Sequence, residues 1–143
     1  MHTKFTSLVK LKKSTMQKSE RSVQKANADL NSAAIALQIS YTSLRDVEPP
    51  NAGTMSDFLA SRTLLDSQRG IIKHNNEWVS YAQNQVKSAQ EQLKADMMDF
   101  EKFKYLEFQE IKKEIAKRKA QEAKDLDEVA LMTYAQNNKV KED

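Results

Sequence analysis

His2 and His74 are the only imidazoles in this 143-residue chain, and neither stands where catalysis or metal binding would need it. His2 adjoins the chain start. His74 is followed by Asn75 and Asn76, with no second histidine or Glu-x-x-His arrangement one helical turn away, the spacing by which a helix offers two ligands to one ion. Cysteine is absent, which excludes disulfides, thiolate zinc sites and a cysteine nucleophile. There is no glycine-rich phosphate loop and no nucleophile elbow. The reading is a non-enzymatic protein with no cofactor and no metal.

What remains is the chemistry of charge and exposed apolar surface. Lys and Arg number 23 against 20 Asp and Glu, so the net charge of +3 is too near balance for the whole surface to attract polyanions. Locally the balance breaks. Lys4, Lys10, Lys12, Lys13, Lys18, Arg21 and Lys25 face the single acid Glu20 across the first 25 residues, an arm that fits an acidic partner or a solvated helix face. No aromatic residues interleave with these cations, so nucleic acid is not the expected partner. A second cluster, Lys112, Lys113, Lys117, Arg118 and Lys119, has Glu107, Glu110, Glu114 and Glu122 at helical pairing distance, and reads as a salt-bridge-laced helix. Phe58, Phe100 and Phe103 are expected in a core, whereas Trp78 and Tyr81, one turn apart, form a candidate docking pair.

Two glycines and two prolines supply too few turns for a sandwich or barrel, and 39% apolar with 30% charged residues suits long helices with one narrow apolar stripe. Alternating steps of four and three connect Phe5, Val9, Lys12, Met16, Ser19, Val23, Ala26, Leu30, Ala33, Leu37, Ser40 and Leu44, the seam of a left-handed coiled coil. The series stops at Glu48-Pro49-Pro50-Asn51-Ala52-Gly53, because each proline withdraws a donor and pushes its predecessor out of the helical region. Thr54-x-x-Asp57 is then a capping box for a second helix. That helix places an apolar residue at every seventh position: Phe58, Leu65, Ile72, Val79, Val86, Leu93 and Phe100. Its intermediate positions, Ser61, Gln68, Asn75, Ala82 and Ala89, are small or polar and predict thin or wet layers.

These series predict an all-α fold, a long antiparallel two-helix coiled-coil hairpin with an overhanging C-terminal helix. The expected single domain, residues 1–143, has helix 1 over about 3–47, a turn at 48–54 and helix 2 over about 55–137. Folding about the turn pairs Leu44 with Phe58, Leu37 with Leu65, Leu30 with Ile72 and Val23 with Val79, each pair of numbers summing to 102. The first helix then ends opposite about residue 101, leaving the last 40 or so residues uncovered, with a slip of the apolar register between Phe100 and Phe108. No stretch approaches the roughly 18 apolar residues of a membrane span, and the start lacks the apolar run of a signal peptide, so a soluble protein that stays inside the cell is expected.

The string Phe5-Thr6-Ser7-Leu8-Val9-Lys10-Leu11-Lys12 resembles the start of the flagellar export protein FliJ family. Gln121-Glu122-Ala123-Lys124-Asp125-Leu126-Asp127-Glu128-Val129-Ala130 resembles that family's carboxy-terminal end, and the short first helix, proline turn and long second helix match it too. The resemblance implies a fold like the central-stalk gamma subunit of rotary ATPases. It implies a cytoplasmic component of the flagellar type III exporter whose paired chain ends enter the hexameric ATPase FliI, promoting its assembly and coupling it to export. Contact with the export-gate protein FlhA at the inner membrane, and escort of export chaperones, are also implied. The ring-facing candidates are Lys4, Lys10, Lys12, Lys13, Lys124, Leu126, Asp127, Glu128 and Val129. Those for the gate are Tyr41, Leu64, Leu65, Ile71 and Ile72. The alternatives are a generic homodimeric coiled-coil scaffold or adaptor and, further off, a basic tether for nucleic acid.

Overall fold

The computed structural model describes residues 2–50 and 52–142; Met1, Asp143 and Asn51 of the expected turn lie outside it. Two helices, α1 (Thr6–Arg45) and α2 (Met55–Glu142), pack against each other as a helical hairpin, and no strand occurs among the described residues. The chain divides into two compact units, Ser14–Met98 and a second made of Met1–Lys13 with Asp99–Asp143.

Each helix start is written into its first residues. Before α1, the Thr3 amide donates to the Thr6 hydroxyl at 2.8 Å and the Phe5 amide to the Thr3 hydroxyl at 3.1 Å. At α2 the capping box forms in both directions: the Thr54 amide donates to Asp57 Oδ2 at 3.1 Å, and the Asp57 amide to the Thr54 hydroxyl at 3.4 Å. Gly53 makes room for it, since a Cβ there would stand 2.6 Å from Asp57 Oδ2.

In the unit Ser14–Met98, every seam position expected on α1 from Met16 to Leu44 is buried or half-buried, and the rest of that face is wet apart from Ala36 and Ser43. The most buried are the small ones: Ser19 at 7%, Ala26 at 9%, Ala33 at 0% and Ser40 at 3% exposure, one per heptad. Small side chains at this repeat let two helices approach closely, while the larger neighbours Val23, Leu30 and Leu37 straddle the contact and keep one flank in water. Close approach also turns the polar layers into cross-links. Gln68 Nε2 donates to the Ser40 carbonyl at 3.1 Å and Asn75 Nδ2 to the Ala36 carbonyl at 3.3 Å, while the Ser19 hydroxyl donates to Asp96.

These bonds correct the expected register. Symmetric folding about residue 51 would set Ser40 against Arg62 and Leu44 against Phe58. The observed partners lie further along α2, by six residues at Ser40–Gln68, nine at Ala36–Asn75 and thirteen at Ser19–Asp96, so Phe58, Leu59 and Met55 have no α1 residue to pack on and stay exposed, Phe58 at 47%. Sliding one helix along the other by whole seam steps of three and four residues leaves the same faces covered, so the repeat alone cannot choose between the two registers.

The second unit carries the same shift. Lys12 Nζ lies 3.6 Å from Asp99 and 5.5 Å from the centre of the Phe103 ring, and His2, Thr3 and Lys4 line a groove with Glu110, Glu114 and Arg118. Half-burial of α2 beside the chain start therefore ends at Glu114, with Arg118 at the rim of that groove, and the exposed tail is residues 115–140 rather than the last 40 or so. Nor does the seam slip near Phe108. Its positions continue in phase through Phe100, Phe103, Glu107, Glu110 and Glu114, with Leu106, Gln109 and Ile111 half-buried beside them, while Phe108 turns outward at 56% exposure.

Candidate functional site

All nine ring-facing candidates fall in the unit formed by Met1–Lys13 and Asp99–Asp143. Lys4, Lys10 and Lys13 are exposed on the arm, and the Lys4 ammonium lies 5.3 Å from the Phe5 ring centre. Lys12 differs. It occupies a seam position, is half-buried, and spends its charge on Asp99 and the Phe103 ring, holding the arm to α2. Lys124, Leu126, Asp127, Glu128 and Val129 lie on a fully exposed helical segment, with Leu126 at 70% and Val129 at 58%. A helix this long without tertiary cover is sustained by the packed length that nucleates it rather than by its own propensity.

The carboxylates on the covered side of α2 give this end its electrostatic pattern. Glu107, Glu110 and Glu114 take seam positions, and Glu110 and Glu114 line one groove with His2 and Lys4. Glu107 Oε2 is buried with no hydrogen-bond partner among the described residues. The expected lacing of the second basic cluster is thinner than the sequence suggests. Arg118 Nε pairs with Glu114 at 3.7 Å, the one ion pair of that cluster among the described residues, and the Lys112 ammonium instead lies 5.7 Å from the Phe108 ring centre.

The five gate-facing candidates fall in the unit Ser14–Met98. Tyr41, Leu64 and Ile71 are exposed, at 39%, 53% and 47%. Leu65 and Ile72 occupy the seam, Leu65 half-buried and Ile72 buried, as their seven-residue spacing requires. The sequence reading missed Ile35 and Ile39, both more than half exposed on the outer side of α1. Their signal is an apolar pair at i and i+4 out of phase with the seam. Trp78 and Tyr81 are exposed and line a shallow depression with His74 and Glu77.

No group of three or more His, Asp or Glu side chains able to hold a metal ion occurs among the described residues. No described helix is long and apolar enough to cross a membrane.

The family described as Flagellar FliJ protein matches residues 1–139. The chain belongs to this family. The match spans both helices and both units, so it covers the arm, the turn and nearly all of the uncovered tail. FliJ-family proteins are non-enzymatic components of flagellar protein export, and that is the role of this member. No curated protein and no solved structure matches the chain.

Proposed function

We propose that this FliJ-family member works in the cytoplasm as a single helical hairpin domain, a stalk whose paired chain ends enter the hexameric export ATPase FliI, promote its assembly and couple it to export. The uncovered tail of α2, residues 115–140, carries this reading: it is helical, bears Leu126 and Val129 in the open, and has no cover within the chain. Burying such a stripe in a partner recovers apolar contact that the hairpin cannot supply. Lys4, Lys10, Lys13, Lys124, Leu126, Asp127, Glu128 and Val129 would meet the ring, and Lys12 would hold the arm in place for them. The exposed Tyr41, Leu64 and Ile71, backed by Leu65 and Ile72 in the seam, would meet the gate protein FlhA, keeping the chain peripheral to the inner membrane. Export chaperones would be escorted from the same hairpin.

Full-length protein is expected to raise both the ATPase rate and the hexamerisation of its cognate ring, and a chain lacking residues 120–143 to raise neither. The removed segment contributes nothing to the seam, so helicity per residue and the melting temperature should stay near those of the parent. An unchanged ATPase rate with full-length protein overturns the proposal. A stable dimer in sedimentation, lost on the same truncation, would favour the homodimeric scaffold instead.

A further inference from the structure

Two members of the second basic cluster, Lys112 and Lys119, share a face of α2 with Lys104. At 100° per residue, Lys104, Tyr105, Phe108, Lys112, Ile115 and Lys119 fall within about 120° of the helix circumference. All six are exposed, Tyr105 at 62%, Phe108 at 56% and Ile115 at 41%. Between Lys104 and Gln121 no acid shares that sector: Glu107, Glu110 and Glu114 lie on the covered side toward the arm, and Glu101 and Glu122 mark the ends of the stripe. None of the three lysines has an ion pair among the described residues. Two of them lie over rings instead, Lys104 5.8 Å from the Phe100 centre and Lys112 5.7 Å from that of Phe108.

We propose that this face of α2 binds the surface of an anionic phospholipid bilayer. A single helix presents a convex strip with no groove to receive a peptide, and a strip of that shape fits a flat, deformable surface. The alternation of cations with Phe, Tyr and Ile fits the headgroup boundary, where aromatic rings and aliphatic groups sink a few ångströms and lysine stems reach back to phosphate. The segregated carboxylates matter as much as the lysines, because on the same sector they would be repelled by the lipid charge. The inference goes beyond the stalk reading and does not rest on it: it uses none of the nine ring-facing candidates and no seam residue, and it shares only Ile115 and Lys119 with the uncovered tail.

Cosedimentation of the full-length chain with vesicles tests it. Partition is expected into phosphatidylcholine vesicles containing about 30% phosphatidylglycerol at 50 mM salt, but not into pure phosphatidylcholine, with loss as salt rises to 300 mM. Lys104→Ser, Lys112→Ser and Lys119→Ser together should weaken binding on the order of 100-fold, taking a juxtamembrane lysine as worth about fivefold. Tyr105→Ser with Phe108→Ser should also weaken it, leaving its salt dependence intact. Circular dichroism of each variant should match the parent, since no seam residue changes. The arm variant Lys18→Ser, Arg21→Ser and Lys25→Ser should bind as the parent does. Failure to bind anionic vesicles at 50 mM salt overturns the proposal. So does retention of parental binding by either α2 variant, or its loss in the arm variant alone.

Discussion

The two units solve helix pairing with different materials. In Ser14–Met98 the contact is made by small residues once per heptad, and its polar members reach across to the opposing main chain, Gln68 to the Ser40 carbonyl and Asn75 to that of Ala36. In the unit holding the chain ends, charge and rings join the contact, Lys12 with Asp99 and Phe103, and carboxylates share the covered side with half-buried Val9, Leu106 and Ile111. The first kind is short-ranged, specific in register and indifferent to salt. The second is partly exposed, weaker, and screened as ionic strength rises. A seam can thus be continuous in its spacing while changing what holds it, and the change falls where carboxylates take up seam positions.

The sharpest way to break this contrast is to test the register itself. The chain has no cysteine, so introduced pairs report alone. With a short bis-maleimide, Ser40→Cys with Gln68→Cys is expected to cross-link in nearly all molecules, and Leu44→Cys with Phe58→Cys in very few. The reverse result would restore the symmetric register. Next in size is a packing test. Ala33→Leu adds three carbons where there is no exposed surface, and should cost about 1–3 kcal/mol in chemical denaturation. Ala130→Leu makes the same chemical change on the open tail and should stay within about 0.5 kcal/mol of the parent. Equal effects at the two sites would erase the distinction drawn between them. The smallest expected effect is at the α2 start, where Thr54→Ala removes one arm of the capping box and should cost roughly 1 kcal/mol.

Much of this was legible from spacing alone. All twelve seam positions from Phe5 to Leu44 are buried or half-buried, and the box at Thr54 and Asp57 forms as its residue types predict. A heptad pattern fixes which face is covered but not how far one helix has slid along the other, and that is why Phe58 was placed against Leu44. The choice is made by amide-to-carbonyl bonds whose partners are distant in sequence and share no repeat. The candidate residues divide along the same line. Leu65 and Ile72 belong to the seam by their period, whereas the exposure of Leu64, Ile71, Ile35 and Ile39 follows from lying off it. The outward turn of Phe108 reads as a slip only where apolar identity and seam position are one property. At Glu107, Glu110 and Glu114 they separate.

Among the described residues, no large side chain is fully enclosed. Heat capacity of unfolding tracks apolar surface newly wetted, and this chain hides little of it, so its increment per residue should fall below that of a globular domain of the same length. The stability curve is then shallow, and warming should loosen the structure gradually from its ends instead of in one sharp calorimetric peak.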